Sequence, residues 1–134
     1  MTIALWCILA AGVLPYLFVG LTGVPTKDGK ARWGKGYDNR EPREYLAGLQ
    51  GWRRRARAGE ANSHEAFAPF AAAVLVAQYV RAAQPWVDGL ALGFIACRLV
   101  YGALYLADIP HPRSVVWFGG VGCVIGLFIV AGSA

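Results

Sequence analysis

The chain has 134 residues, which is enough for one membrane domain and not for two, and its composition is too apolar for an ordinary soluble domain. Hydrophobic residues make up 57% of it, against about 45–50% in soluble domains. The formal net charge is +5, and the ten Lys/Arg and five Asp/Glu between Lys27 and Glu60 account for the whole surplus. Confined to one connection too small for an independent fold, this charge excludes a nucleic-acid-binding domain and indicates the cytoplasmic face of a membrane protein.

The first apolar block covers residues 2–24. At about 1.5 Å per residue it is long enough to cross a hydrocarbon core about 30 Å thick. It lacks the basic start of a signal peptide, so we expect a retained transmembrane helix. Pro15 predicts a kink within it.

A polar cytoplasmic loop is predicted over residues 25–54. Tyr37-Asp38-Asn39 predicts a turn, and Glu41-Pro42-Arg43-Glu44 is typical of a helix start. The recurrence of Leu46, Leu49 and Trp52 at helical spacing predicts an interfacial helix on the membrane surface. A merely solvated loop is the alternative interpretation.

Three further apolar blocks predict the remaining membrane spans. They lie at residues 58–81, 86–107 and 114–133. Because the connection over residues 82–85 is short, it joins antiparallel neighbours. We therefore predict an all-α fold, a transmembrane four-helix up-down bundle forming a single integral membrane domain over residues 1–134. The basic loop predicts the inner membrane, with both termini periplasmic.

Polar side chains recur at the cytoplasmic ends of the predicted spans. Two triplets share the spacing i, i+3, i+7: Asn62, Glu65 and Pro69, then Arg98, Tyr101 and Tyr105. Each triplet forms one stripe of a helix, and Arg113 opens the last span at the same depth. Because a lone charge is costly in lipid, we expect Glu65 and Arg98 to form a buried ion pair.

This polar set has two interpretations. The ion pair and amide simply hold the helices in register, or the set is a binding site. Arg98 and Arg113, with Arg55 or Arg57 above them, outnumber Glu65, and arginine binds carboxylates well, so we favour a site for an anionic guest. We predict no metal site, because His64 has no companion ligand and the cysteines have no metal spacing. These cysteines are Cys7, Cys97 and Cys123, which we expect to be buried packing residues.

The sequence resembles the family of membrane-associated proteins in eicosanoid and glutathione metabolism, the MAPEG family. The stretch Arg55-Ala56-Arg57-Ala58-Gly59-Glu60-Ala61-Asn62-Ser63-His64-Glu65, followed by Pro69-Phe70, is similar to one signature. Arg98-Leu99-Val100-Tyr101 with Tyr105, then Arg113-Ser114, is similar to a second. Tyr37-Asp38-Asn39 and Pro42-Arg43 resemble the loop of a bacterial branch.

The resemblance implies a homotrimer with glutathione, as co-substrate, bound between subunits in the cytoplasmic leaflet. By this match Asn62, Glu65, Arg98 and Tyr101 position glutathione, with Tyr105 nearby. The match gives Arg113 the catalytic role of stabilising the thiolate. A cation beside a thiol lowers its pKa and raises the nucleophilic fraction. A lipophilic small molecule would enter from the membrane lipids.

Two positions depart from the family pattern. Catalytic members often have an arginine four residues before the amide, where this chain has Ala58. Some have an aromatic residue after the glutamate, where this chain has Ala66. Arg55 substitutes for the missing arginine only at its full reach. The expected function is a glutathione-dependent transferase or peroxidase acting on lipophilic electrophiles. The alternative is a non-catalytic lipid-binding or accessory subunit of a larger membrane complex.

Overall fold

The computed structural model describes residues 1–22 and 40–134, and the predicted turn at Tyr37-Asp38-Asn39 lies outside them. Five helices are described, all of the regular structure being α-helical: α1 Ile3–Thr22, α2 Pro42–Ala47, α3 Gly51–Tyr79, α4 Gln84–Leu106 and α5 Pro110–Gly132. The four long helices form the predicted bundle. Helices consecutive in the bundle run antiparallel, as α1 on α3 and α4 on α5 illustrate, and the parallel pairs α1–α4 and α3–α5 are also in contact.

Three of the described helices are long and apolar enough to cross a membrane: α1 over Ile3–Gly20, α4 and α5. The protein is thus an integral membrane protein. Helix α3 has 29 residues, about 43 Å of helix, but its first half is charged and its apolar half begins only at Ala66. It starts at Gly51, and the span predicted over residues 58–81 is the later part of this one helix, because the basic segment before it is helical as well.

Helix starts differ from the prediction in two further places. Helix α2 ends at Ala47 and α3 begins only at Gly51, whose φ is +59°, so Leu46, Leu49 and Trp52 do not share one interfacial helix. Helix α5 begins at Pro110, four residues before the predicted 114, because proline is well accommodated in the first helical turn. Helix α1 continues through Pro15, whose side chain is buried.

Two tight turns connect the last three helices. The amide of Ala82 donates to the carbonyl of Ala77, and that of Ile109 to the carbonyl of Leu104. Arg81 (φ 56°) and Asp108 (φ 61°) hold the left-handed position of these turns, which helix C-termini commonly use. We call the end of the bundle with the α4–α5 turn and the start of α3 the inner end, and the opposite end the outer end.

Apolar packing is concentrated toward the outer end. Phe70 of α3 stacks on Phe94 of α4 with ring centroids 4.0 Å apart, and small residues of α1 and α3, among them Ala4, Ala11 and Ala73, complete this core. At the N-terminus of α1, the carboxylate of Asp88 accepts a hydrogen bond from the amide of Ala4 at 2.8 Å. The side chain of Gln84 donates to the same carboxylate at 2.8 Å, whereas the buried arginine lies in the inner half.

Candidate functional site

Arg98 of α4 is the central residue of the inner half. It is only 3% exposed, and its Nη1 donates to Oδ1 of Asn62 on α3 at 2.8 Å. Its Nε has no hydrogen-bond partner among residues 1–22 and 40–134. Gly120 of α5 makes room for it, since a Cβ there would stand 3.4 Å from Nη2. A buried guanidinium with an unused donor favours a guest that carries an acceptor.

The predicted ion pair between Glu65 and Arg98 is wrong for the described residues, because Arg98 is held by the Asn62 amide and Glu65 is exposed. The buried carboxylate is instead Glu60, 8% exposed. It pairs with Arg57 on the same helix, and Nε2 of His64 lies 3.7 Å from its other oxygen. Arg57 is thus neutralised within α3.

A cavity of about 270 Å³ lies beside Arg98, between α3, α4 and α5. Asn62, Glu65 and Arg98 are its polar residues. Its walls are otherwise mostly apolar and include Ala66, Pro69, Phe94, Trp117, Val121, Val124 and Ile125. Such a lining fits an amphipathic guest with a charged group at Arg98 and apolar parts along α5.

Two tyrosine rings of α4 lie between the guanidinium groups of Arg98 and Arg113, and this row of contacts extends to the start of α5. The Arg98 guanidinium lies 4.6 Å from the ring centroid of Tyr101, and the rings of Tyr101 and Tyr105 meet edge to face at 5.6 Å. The guanidinium of Arg113 lies 4.2 Å from the Tyr105 centroid. These cation–π contacts hold both cations in place without neutralising them.

Arg55 belongs to a different contact set. Its Nε and Nη2 donate to the carbonyl of Leu106 at 3.3 Å, which satisfies a carbonyl in the last turn of α4. Its Nη1 lies 3.7 Å from Asp108. Arg55 and Tyr105 line a polar recess of about 280 Å³ at the inner end, beside the apolar cavity rather than in it.

Two of these four arginines thus have a carboxylate partner and two do not. Arg55 and Arg57 are paired, whereas among the described residues Arg98 and Arg113 form no ion pair. The sequence interpretation missed Gly120 and Trp117 at the cavity wall, and Glu60 as the partner of Arg57. The signal for Glu60 was its i+3 spacing from Arg57.

One of three comparisons with known proteins found a match. A family model described as the MAPEG family matches residues 3–133, nearly the whole chain. Neither the curated proteins nor the solved structures yielded a match.

Proposed function

Because this chain belongs to the MAPEG family, we propose that it is a membrane-bound, glutathione-dependent transferase or peroxidase that acts on lipophilic electrophiles. The observation that carries the proposal is the buried, uncompensated guanidinium of Arg98, held by Asn62 at the wall of an apolar cavity. Glutathione is anionic and supplies carboxylates, while the apolar wall suits a second substrate that arrives through lipid.

The residues have distinct roles in this proposal. Arg98 and Asn62 bind a carboxylate or amide of glutathione, and Tyr101 and Tyr105 orient it along α4. Glu65, exposed on α3 at the cavity mouth, pairs with its ammonium group. Arg55 lies at the inner end, beside the cavity. It gives up its partly exposed ion pair with Asp108 to contact glutathione.

Arg113 supplies the catalytic charge. A guanidinium near the glutathione sulfur favours the thiolate over the thiol, so more of the nucleophile is present near neutral pH. The thiolate then attacks the electrophile and forms a carbon–sulfur bond by addition or by displacing a leaving group. With a hydroperoxide it attacks the terminal oxygen, the oxygen–oxygen bond breaks, and an alcohol and glutathione sulfenic acid form, which a second glutathione thiol converts to the disulfide and water. We further propose that the protein is a homotrimer in the inner membrane, with both termini of each chain in the periplasm.

The decisive experiment combines calorimetric titration of the purified protein with glutathione and turnover of a chromogenic electrophile. Arg98→Ala should weaken glutathione binding at least tenfold, about 1.4 kcal/mol. Arg113→Ala should lower kcat by about 10²-fold, as expected on removing a charge that acts in the transition state, with a smaller change in Kd. Arg43→Ala, an exposed arginine on α2, is the matched control and should change neither.

A second candidate function has specific support. Ala66 lines the cavity and leaves the guest without the aromatic contact that some catalytic members have. Arg55 and Arg57 are already paired. These features favour a non-catalytic lipid-binding or accessory subunit of a larger membrane complex. Glutathione binding without turnover, or neither, would support that function and contradict the enzyme.

A further inference from the structure

Two free thiols face each other across the seam between α4 and α5. Cys97 of α4 and Cys123 of α5 are both half-buried. Sγ of Cys97 lies 3.2 Å from where a Cβ on Gly119 would stand, and Sγ of Cys123 lies 3.3 Å from the same point on Gly93. Each thiol therefore fills the notch above a glycine of the opposite helix.

This reciprocal arrangement brings the two sulfurs together. Gly93 precedes Cys97 by one helical turn, as Gly119 precedes Cys123, so in an antiparallel pair the two notches are about 6 Å apart along the seam. Side chains on a helix tilt toward its N-terminus, so in this antiparallel pair Cys97 leans toward the level of Cys123, and Cys123 leans toward the level of Cys97. The glycines let the backbones approach, and disulfides require such an approach, with Cα atoms about 4.4–6.8 Å apart.

The surroundings determine which oxidants reach these thiols. Each cysteine is the fourteenth of 23 residues in its helix, close to the middle of an apolar span. A water-soluble oxidant is excluded from that depth, whereas a lipid-soluble one partitions into it. Cys7 is separate, since it is buried in α1, which does not pack on α5.

We propose that Cys97 and Cys123 form a redox-active cysteine pair, which lipid-soluble hydroperoxides oxidise to a disulfide between α4 and α5. One thiol attacks the terminal peroxide oxygen, the oxygen–oxygen bond breaks, and an alcohol leaves with the thiol proton, giving a sulfenic acid. The second thiol displaces its hydroxyl as water and forms the sulfur–sulfur bond. A thiol reductant restores both cysteines by exchange. This inference does not rest on the proposed glutathione chemistry.

The test treats the wild-type protein in lipid nanodiscs with cumene hydroperoxide, without glutathione, and maps its thiols by differential alkylation and mass spectrometry. The expected result is loss of two of the three alkylatable thiols, a crosslink joining the α4 and α5 peptides, and reversal by a reductant. Hydrogen peroxide at the same concentration should react several-fold more slowly. Cys7→Ser should retain the crosslink, and Cys97→Ser and Cys123→Ser should each abolish it.

Several results would overturn this inference: three thiols that stay alkylatable, a disulfide between two copies of the chain, consumption of Cys7, or oxidation of each cysteine separately without a crosslink. The wild-type measurement decides the matter even where a serine variant fails to fold. Because glutathione is absent, the outcome is independent of the proposed enzyme activity.

Discussion

At the scale of single residues, the bond between Arg98 and Asn62 decides whether a buried charge is tolerated. A charged group left without its partner costs more than the bond itself contributes, whereas replacing both partners with apolar groups of similar size is often neutral. Within the part of the chain that the structure describes, Arg98 has one side-chain hydrogen bond, to Asn62, and an unused Nε. Its stability contribution is thus linked to a single amide.

We predict that Asn62→Leu lowers the free energy of unfolding by about 1–3 kcal/mol, because it leaves Arg98 without an acceptor. The double variant Asn62→Leu/Arg98→Met should recover most of the loss. Thermal unfolding in detergent measures both. Additive losses in the double variant would show that the two side chains are not coupled.

The same residues show where inference from sequence ends. The depth and spacing of the polar residues could be predicted, because an amide and an arginine inside apolar runs must face the protein interior. The hydrogen-bond partner of Arg98 could not be predicted. Glu65 and Asn62 lie on one stripe of α3, and only the rotation of the helix selects between them. The pairing of Glu60 with Arg57 likewise depends on which face of α3 is buried.

At the scale of helices, close packing at the inner half depends on Phe18 of α1. Its buried ring lies against Gly59 of α3 and Gly102 of α4. A Cβ at Gly102 would overlap the ring, standing 2.9 Å from Cε1. The helix bounds followed from apolar length, but this three-helix contact did not, because nothing in the sequence relates a phenylalanine to two distant glycines.

We predict that Gly102→Ala destabilises the bundle by about 1–3 kcal/mol, since a methyl group is forced into a filled space. Gly89→Ala on the same helix is the matched control, because nothing lies within 4 Å of its added Cβ. It should be neutral or stabilising by up to about 1 kcal/mol, from helix propensity. Phe18→Leu should rescue Gly102→Ala. Equal losses in both glycine variants would point to chain flexibility rather than to the ring.

At the scale of the whole molecule, α3 carries an exposed stripe that no other described helix of the single chain covers. Its members alternate by three and four residues: Glu65, Ala68, Ala72, Leu75 and Tyr79. Tyr79 is 89% exposed. Spacing of this kind is typical of helices that associate along a seam, and small residues allow close approach within a membrane. The stripe begins at Glu65, which also lines the cavity.

We therefore predict that Ala72→Trp dissociates the proposed homotrimer and, because the seam adjoins the cavity mouth, weakens glutathione binding as well. Light scattering of the purified protein in detergent should give a mass of three chains for the wild type and a shift toward one chain for the variant. Ala96→Trp makes the same change on an exposed face of α4 and should leave the mass unchanged. If Ala96→Trp dissociates the assembly while Ala72→Trp does not, subunits associate through α4 instead, and the cavity mouth at Glu65 faces lipid.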